Sequence, residues 1–252
     1  MTATIVQPDI KFTMTVKLEG WKAIMTAISS LHEENVFTAK PDGIMFKVLD
    51  PSKVSLIEFF WQKENMLKYE CSEEFKVGVR VEEVVKALKR FKEDIVIINY
   101  LSNKTLQIIS GKKEYVLRTI DPSYIADNPP LNVNYDVSFK TTMSELQEVI
   151  EDSGVFEDWF EISVIEKSVY VLGAGDAGKS KSLLSENVKN KLDENFTVYY
   201  SYSYISQIVR LMAKMCGNVL ISFGKGKPIL LGMEVEGVGT IEYFLAPMHR
   251  NQ

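Results

Sequence analysis

The sequence has very little of the side-chain chemistry on which most enzymes and secreted domains depend. It contains two cysteines and two histidines among 252 residues. Cys71 and Cys216 stand far apart with no CxxC pair, which excludes a disulfide framework and predicts small buried side chains in a reducing compartment. His32 and His249 are equally isolated, and no cluster of ligands surrounds either of them. We therefore predict no metal site and no cofactor.

Long apolar runs and an excess of positive charge are also missing. No segment approaches the length of a membrane span, and the first residues, from Met1 to Lys17, lack the apolar core of a signal peptide. The formal net charge is −5, with 46% hydrophobic and 25% charged residues. This composition predicts an intracellular, soluble globular protein without a membrane partner. It argues against coating nucleic acid with the whole surface, although it allows a basic stripe on an acidic body.

What the sequence does contain is a long internal repeat. Five apolar positions of the first half recur 121 positions later in the second half. They are Phe75, Val77, Val81, Val84 and Leu88, followed by Phe196, Val198, Tyr202, Ile205 and Val209. A turn-rich stretch, 121–130, lies between the copies. Two long copies joined by a linker predict a duplicated domain, with residues 1–120, a linker over 121–133, and residues 134–252.

Hydrophobic periodicity predicts the same kinds of element in each copy. Helical spacing indicates amphipathic helices over 18–31, 81–91, 143–150 and 204–215. Alternating apolar residues predict strands between them, including a hairpin at Pro41-Asp42-Gly43. The polar segment 173–195 is interpreted as strand edge and loop. The fold class is therefore α+β, with two helices on a mostly antiparallel sheet in each copy.

Two motifs resemble a known family. Leu49-Asp50-Pro51-Ser52-Lys53-Val54-Ser55-Leu56-Ile57 and the ending Tyr243-Phe244-Leu245-Ala246-Pro247 are similar to segments of DNA sliding clamps of the proliferating cell nuclear antigen type. Length and domain order fit as well, so the resemblance spans essentially the whole chain. It implies the DNA clamp fold: three subunits closing into a ring of six similar domains, with helices around a hole that holds duplex DNA. It implies a processivity factor for replication and repair rather than an enzyme.

The resemblance directs attention to cations on the free faces of the predicted helices. These candidate DNA-facing residues are Lys22, Lys86, Lys89, Arg90, Arg210 and Lys214. Cations without base-edge readers suit phosphate contacts that carry no sequence preference. The alternative is that they are ordinary solvated helix charges. The helix beginning near Met143 departs from the pattern because it carries Glu145, Glu148, Glu151 and Asp152 and no basic residue. We therefore expect an uneven basic lining.

In the family, client proteins insert a short motif into a groove beneath the interdomain linker. The resemblance implies as clients a DNA polymerase, a clamp loader, a flap endonuclease and a ligase. The matching pocket positions here are Leu49, Lys53, Val54, Leu56, Ile125, Leu131, Pro228, Phe244, Ala246 and Pro247. A Pro-bounded strap over aliphatic and aromatic walls suits peptide-in-groove recognition. The alternative is that Val54, Leu56 and Phe244 are simply core residues of strands.

Closing such a ring requires open strand edges that pair between subunits. Family position implies that residues 112–119 of one subunit meet roughly 178–186 of the next. The interface residues would be Lys112, Lys113, Tyr115 and Leu117 on one edge and Lys179, Lys181 and Leu183 on the other. Self-pairing of these edges would set cation near cation, so homotrimer and heterotrimer both stay open.

One motif favours a different class of function. The segment Gly173–Ser180 satisfies the phosphate-loop pattern GxxxxGK[ST] after an apolar strand. A P-loop nucleotide hydrolase would use Lys179 on the phosphates and Ser180 on Mg²⁺. The competing interpretation is a Gly-rich hairpin turn between two strands. A third option is a duplicated interaction domain that does not touch DNA.

Overall fold

The computed structural model describes residues 8–125 and 131–249. The chain divides into two compact units. The first contains Met1–Val48, Phe59–Asn128 and Gly237–Gly239, and the second contains Leu49–Glu58, Pro129–Glu236 and Thr240–Gln252. The second unit thus includes the segment that begins with Leu49, which precedes most of the first unit's strands in sequence.

Within residues 8–125 the chain forms nine strands and two α-helices. In order they are β1 (Ile10–Lys17), α1 (Leu18–Ser29), β2 (Glu34–Lys40), β3 (Gly43–Leu49), β4 (Ser55–Gln62), β5 (Lys68–Cys71), β6 (Phe75–Arg80), α2 (Val81–Leu88), β7 (Ile95–Leu101), β8 (Thr105–Ser110) and β9 (Lys113–Arg118). One sheet has the strand order β5-β1-β7-β8-β9, and a second set has β4-β3-β2-β6. The pairs β1–β5, β1–β7, β2–β3, β2–β6, β7–β8 and β8–β9 are antiparallel; Phe37, for example, lies opposite both Phe46 and Val77.

The second half repeats this arrangement. Its elements are β10 (Val137–Thr142), α3 (Met143–Ser153), β11 (Trp159–Ile165), β12 (Ser168–Gly175), β13 (Gly178–Ser185), β14 (Phe196–Ser201), α4 (Tyr202–Met212), β15 (Asn218–Phe223), β16 (Ile229–Val235) and β17 (Gly239–Leu245). The strand orders are β10-β15-β16-β17 and β13-β12-β11-β14. They match β1-β7-β8-β9 and β4-β3-β2-β6 strand for strand, and among the described strands β5 has no counterpart in the second half. Val81 and Tyr202, the repeated positions, each begin a helix. The predicted α+β duplication is confirmed.

Each unit has its own aromatic core between the sheets and the helix pair. In the first, Trp21 of α1 is buried with its ring centroid 6.1 Å from that of Trp61, and Phe46 lies 6.1 Å from Phe59. In the second, Phe160 packs 5.8 Å from Tyr200, whose exposed fraction is 0%. Burial of these large apolar surfaces is the main favourable term in folding.

Several details differ from the sequence-based expectations. Helices α2 and α4 end at Leu88 and Met212, earlier than the apolar spacing predicts. Strand β5 lacks a hydrophobic signal because it has only four residues, of which Lys68 and Glu70 are exposed, and it forms by pairing with β1. The two cysteines are free, but only Cys216 is fully buried; Cys71 is half-buried, with Sγ donating to the carbonyl of Glu73. None of the described helices is long and apolar enough to cross a membrane.

Candidate nucleic-acid interface and protein-binding surfaces

The predicted DNA-facing cations of the first unit lie on or just beyond its two helices. Lys22 of α1 is half-buried, whereas Lys86 of α2 is exposed and pairs with Glu82 at 2.8 Å. That pair raises the pKa of Lys86 and lowers the pKa of Glu82. Lys89 and Arg90 follow the last residue of α2 and are exposed. Cations at a helix C-terminus also interact favourably with the helix dipole, so these two positions have a structural use as well.

In the second unit the two predicted cations have different surroundings. Arg210 lies on the exposed side of α4, where its Nε donates to Oε1 of Glu151 at 3.0 Å and its Nη2 donates to the Tyr202 hydroxyl at 2.8 Å. Lys214 is exposed and lies in the turn after α4, not on the helix. The prediction that Arg210 and Lys214 share one helical face is therefore wrong, because the helix ends at Met212. Glu151 of α3 contacts Arg210 instead.

All of the predicted pocket residues except Ile125 belong to the second unit. The amide of Ala246 donates to the carbonyl of Val54 at 2.8 Å, which sets the end of β17 beside the start of β4. Leu56 and Phe244 are both 6% exposed, so they contribute mainly to the core. The half-buried or exposed apolar residues of this set are the ones that can contact a partner. These are Val54, Pro228, Ala246, Pro247 and Leu131.

We refer to Val54, Pro228, Ala246 and Pro247 as the Val54–Pro247 surface. It is bordered by Met248, whose amide donates to the carbonyl of Tyr199 in β14 at 2.8 Å. Of the remaining pocket positions, Leu49 is half-buried and Lys53 is exposed. Ile125 is half-buried and belongs to the first unit. Residues 126–130 of the predicted linker lie outside the described residues.

The loop between β3 and β4 is organised by a residue that sequence reasoning quoted without giving it a role. Asp50 is 5% exposed, and its carboxylate accepts from the amides of Ser52, Val54 and Ser55 at 3.0, 2.7 and 2.6 Å. The Tyr204 hydroxyl also donates to Asp50, at 3.3 Å. These bonds hold the backbone through Lys53, whose φ of 59° is unfavourable for a side-chain-bearing residue. The carboxylate thus fixes the position of Val54.

The two predicted subunit edges are both the last strands of their sheets. On β9, Tyr115 packs 5.5 Å from Phe91, while Leu117 is half-buried beside it in the same face. Lys113 donates to the carbonyl of Arg90 at 2.7 Å, and Lys112 is exposed in the turn before the strand. On β13, Lys179 and Leu183 are exposed, and the Lys181 Nζ lies 4.1 Å from the centre of the Tyr170 ring.

The glycine-rich motif forms a β-hairpin and not a phosphate loop. β12 and β13 pair from Val169–Ser185 to Gly175–Gly178, so Lys179 and Ser180 lie in a strand and no helix begins there. The Ser180 hydroxyl accepts from the amide of Gly173 at 3.2 Å. A Cβ at Gly173 would overlap the carbonyl oxygen of Ser153 at the end of α3. The glycine serves this close approach of helix and strand. No group of three or more potential metal ligands occurs within residues 8–125 and 131–249.

Comparison with known proteins identifies the family. A model of the N-terminal domain of proliferating cell nuclear antigen matches residues 15–115. The DNA polymerase sliding clamp of Cenarchaeum symbiosum is 34% identical over 234 residues, covering 90% of this chain and 93% of the relative. The chain belongs to the proliferating cell nuclear antigen family of DNA sliding clamps. The sliding clamp of Nitrosopumilus maritimus is 32% identical with the same coverage.

Solved sliding clamps have the same fold. The clamp of A. fulgidus, determined with the C-terminal region of FEN-1 bound, superimposes with a TM-score of 0.88 at 20% identity, covering 96% of this chain and 100% of that one. The clamp of Thermococcus kodakaraensis gives a TM-score of 0.85 at 18% identity, covering 94% and 100%. The two similar domains of the clamp fold are thus present here.

The clamp family motif in this chain contains a signal from which the role of Asp50 as an acceptor of backbone amides can be predicted. An Asp followed by Pro and Ser predicts a turn in which the carboxylate accepts backbone amides. The aromatic partner Tyr204 and the ion pair between Arg210 and Glu151 carry no such signal, because both join elements that are distant in sequence.

Proposed function

We propose that the chain is one subunit of a trimeric ring that encircles duplex DNA and keeps replication and repair enzymes on it without catalysing a reaction. Residues 1–120 and 134–252 would be the two clamp domains, and 121–133 the linker between them. The observation that carries this proposal is the exact-order repeat of the strands together with a helix pair in each copy. A protein built from repeated modules is suited to a closed ring, and family membership supports it. Such a factor would act inside the cell.

The DNA contact would be electrostatic and uneven between the two units. On the first unit Lys22, Lys89 and Arg90 supply positive charge, and Lys86 adds a lysine that is paired with Glu82. On the second, Arg210 is paired with Glu151, and α3 adds exposed Glu145, Glu148 and Asp152. We infer that the first unit makes most of the phosphate contacts. Each contact adds roughly −0.9 to the slope of log affinity against log salt.

Retention on circular DNA tests this function. A ring that has been loaded on nicked circular DNA should stay bound through gel filtration and should be lost when the circle is cut to a linear molecule. Lys89→Glu should weaken retention and lower the salt slope by about one. Lys189→Glu, the same charge change at an exposed loop position, is the control. Equal retention on circular and linear DNA would contradict the ring.

Clients would dock on the Val54–Pro247 surface. Its half-buried apolar residues include the neighbour of Met248 in sequence, Pro247, and the same unit also exposes the apolar side chain of Leu131, which is 41% exposed. The bound FEN-1 segment in the A. fulgidus structure supports this proposal, because it indicates that a clamp of this fold takes a C-terminal peptide. The clients we propose are a flap endonuclease, a DNA polymerase, a ligase and the clamp loader.

A peptide titration tests the surface. Ala246→Arg adds bulk and charge at a half-buried position without emptying the core, and we expect at least a tenfold loss of affinity for a flap-endonuclease C-terminal peptide. Leu192→Arg makes a similar change at an apolar position that is 39% exposed outside this surface, and it should leave affinity unchanged. Equal affinities for both variants would rule out the assignment. Substitution of Phe244 is less informative because that side chain is buried.

A further inference from the structure

The chain buries two carboxylates, and each is bonded to a segment that leads to a residue of the Val54–Pro247 surface. Within residues 8–125 and 131–249, Asp50 and Asp136 are the only fully buried charged residues, with exposed fractions of 5% and 7%. A buried charge destabilises the fold unless its partners compensate it. Asp50 accepts from the amide of Val54 itself. Asp136 is compensated by a second loop, the one that precedes Pro228.

Asp136 forms an ion pair with Lys227 inside the second unit. Nζ of Lys227 and Oδ1 of Asp136 are 2.6 Å apart, and the two side chains are 32% and 8% exposed. The other carboxylate oxygen, Oδ2, accepts from the backbone amide of Lys225 at 3.1 Å. A Cβ built on Gly224 would lie 2.2 Å from Oδ2, so the turn fits closely around the carboxylate. Close charge-assisted bonds of this kind fix the geometry of the groups that they join.

The main-chain groups of Lys227 are held as well, and this fixes the residue directly before Pro228. The Lys227 amide donates to the carbonyl of Gly224 at 3.0 Å. The Lys227 carbonyl accepts from the hydroxyl of the buried Tyr200 at 2.8 Å. Because the φ angle of proline is itself fixed, the position of Lys227 determines where the ring of Pro228 lies.

The same ammonium also holds the segment that leads from the predicted linker into β10. Nζ of Lys227 donates to the carbonyl of Asn134 at 2.7 Å. From another loop, Nζ of Lys191 donates to the carbonyl of Tyr135 at 2.7 Å, and the Lys191 amide donates to the carbonyl of Asp136 at 3.0 Å. The end of the linker and the turn before β16 thus share one anchor, the side chain of Lys227.

We propose that Asp136 and Lys227 are positioning residues for client binding and that they act through Pro228. The inference rests on the client surface proposed above. The ion pair fixes the turn that carries Pro228, and with it the end of the linker, before a client arrives. A surface whose groups are fixed beforehand loses less entropy when a peptide binds. Breaking the ion pair should therefore weaken client binding, although neither residue belongs to the Val54–Pro247 surface.

A peptide titration of full-length variants tests the ion pair. The probe is a flap-endonuclease C-terminal peptide, at a temperature where circular dichroism shows every variant to be folded. Lys227→Met keeps the length of the side chain and removes its charge, and we expect affinity to fall about tenfold. Asp136→Asn breaks the same pair from the other side and should have a similar effect. Lys225→Met is the matched control, because that ammonium pairs with Glu194 at an exposed position, and it should leave affinity unchanged.

Three further variants separate positioning from a general loss of stability. Lys227→Arg keeps the positive charge and should keep most of the affinity. Pro228→Ala should weaken binding by itself, and adding Lys227→Met to it should cause little further loss, because one residue acts through the other. Gly173→Ala should destabilise the contact between β12 and α3, and it should leave affinity unchanged.

The outcomes separate the two proposals. If Ala246→Arg weakens binding but Lys227→Met does not, the positioning role is wrong and the client surface stands. The same conclusion follows if the losses from Lys227→Met and Pro228→Ala are additive, or if Gly173→Ala weakens binding as much as Lys227→Met does. If the unsubstituted chain does not bind the peptide, or if Ala246→Arg has no effect, both proposals fail.

Discussion

Arg210 of α4 donates from Nε to Oε1 of Glu151 of α3, with 3.0 Å between the two atoms. This bond, together with the one from Nη2 to the Tyr202 hydroxyl, ties the guanidinium to its own unit. Hydrogen bonds from Gln147 first and Arg210 second lower the pKa of Glu151, so the carboxylate stays charged at neutral pH. A cation expected to face DNA is thus partly neutralised by the acidic helix beside it.

Removing that carboxylate should strengthen DNA binding. Glu151→Gln deletes one negative charge and releases Arg210 to phosphate, whereas Glu148→Gln deletes a charge from the same helix without touching Arg210. We expect both variants to raise retention on circular DNA, and only Glu151→Gln to steepen the salt slope, by about one unit. Salt-dependent retention measures both effects. Identical slopes would mean that Arg210 does not contact phosphate.

Asp50 should contribute far more to the free energy of unfolding than an ordinary turn aspartate does. Asp50→Ala leaves three amides without the charged acceptor they have now, and we expect the free energy of unfolding to fall by roughly 3 kcal/mol. Asp121→Ala removes a comparable bond to the Ser123 amide at an exposed turn and should cost less than about 1 kcal/mol. Urea unfolding of both variants measures the difference. Similar losses would show that the Asp50 carboxylate does not hold the loop.

The variant Asp50→Ala should also weaken binding of a client peptide, because Val54 would lose its fixed position. Peptide titration at a temperature where the variant is still folded separates this effect from unfolding. Unchanged affinity would indicate that the loop takes no part in binding.

Gly173 should be intolerant of a methyl group. In Gly173→Ala the new Cβ would overlap the Ser153 carbonyl, so strand and helix must separate, at a cost of about 1–3 kcal/mol. Gly217→Ala is the matched control, since nothing lies within 4 Å of a Cβ built there. The urea concentration at the midpoint of unfolding compares the stability of the two variants. If the two substitutions cost the same, the glycine has no packing role.

The start of α3 should make a pH-dependent contribution to stability. Hydrogen bonds from Thr141 and Thr142 lower the pKa of Glu145 in the folded chain. A carboxyl group with a depressed folded pKa stabilises the protein above its unfolded pKa, and this contribution is lost as the pH falls through the folded value. Glu145→Gln should therefore be less stable than the unsubstituted chain at pH 7, and the gap should narrow toward pH 3.

Denaturant unfolding at several pH values measures the difference in the free energy of unfolding between the Glu145→Gln variant and the unsubstituted chain. Glu148→Gln, the same substitution on an exposed part of the same helix, is the control. A gap for Glu145→Gln that is constant with pH would contradict the role of the capping carboxylate.

Local pattern predicted the elements whose hydrophobic spacing is regular. β7 and β8 cover the apolar-rich segments 95–101 and 105–110, and each helix starts at or near its first apolar residue. The predicted ends of α2 and α4 were wrong because an apolar residue beyond a helix can also be buried by a turn, as Phe91 is. β5 had no local signal because its stability comes from hydrogen bonds to β1, a partner distant in sequence.

The sequence by itself determined the duplication, the α+β class and the family, since all three follow from the order and spacing of residues along the chain. Only the tertiary structure decided which charged side chains are paired within the chain. It also decided that the glycine motif forms a β-hairpin. Arg210 contacts Glu151 because α4 packs against α3. Gly173 lies against Ser153 because β12 packs against α3. Such contacts depend on distances between elements, which a linear pattern does not contain.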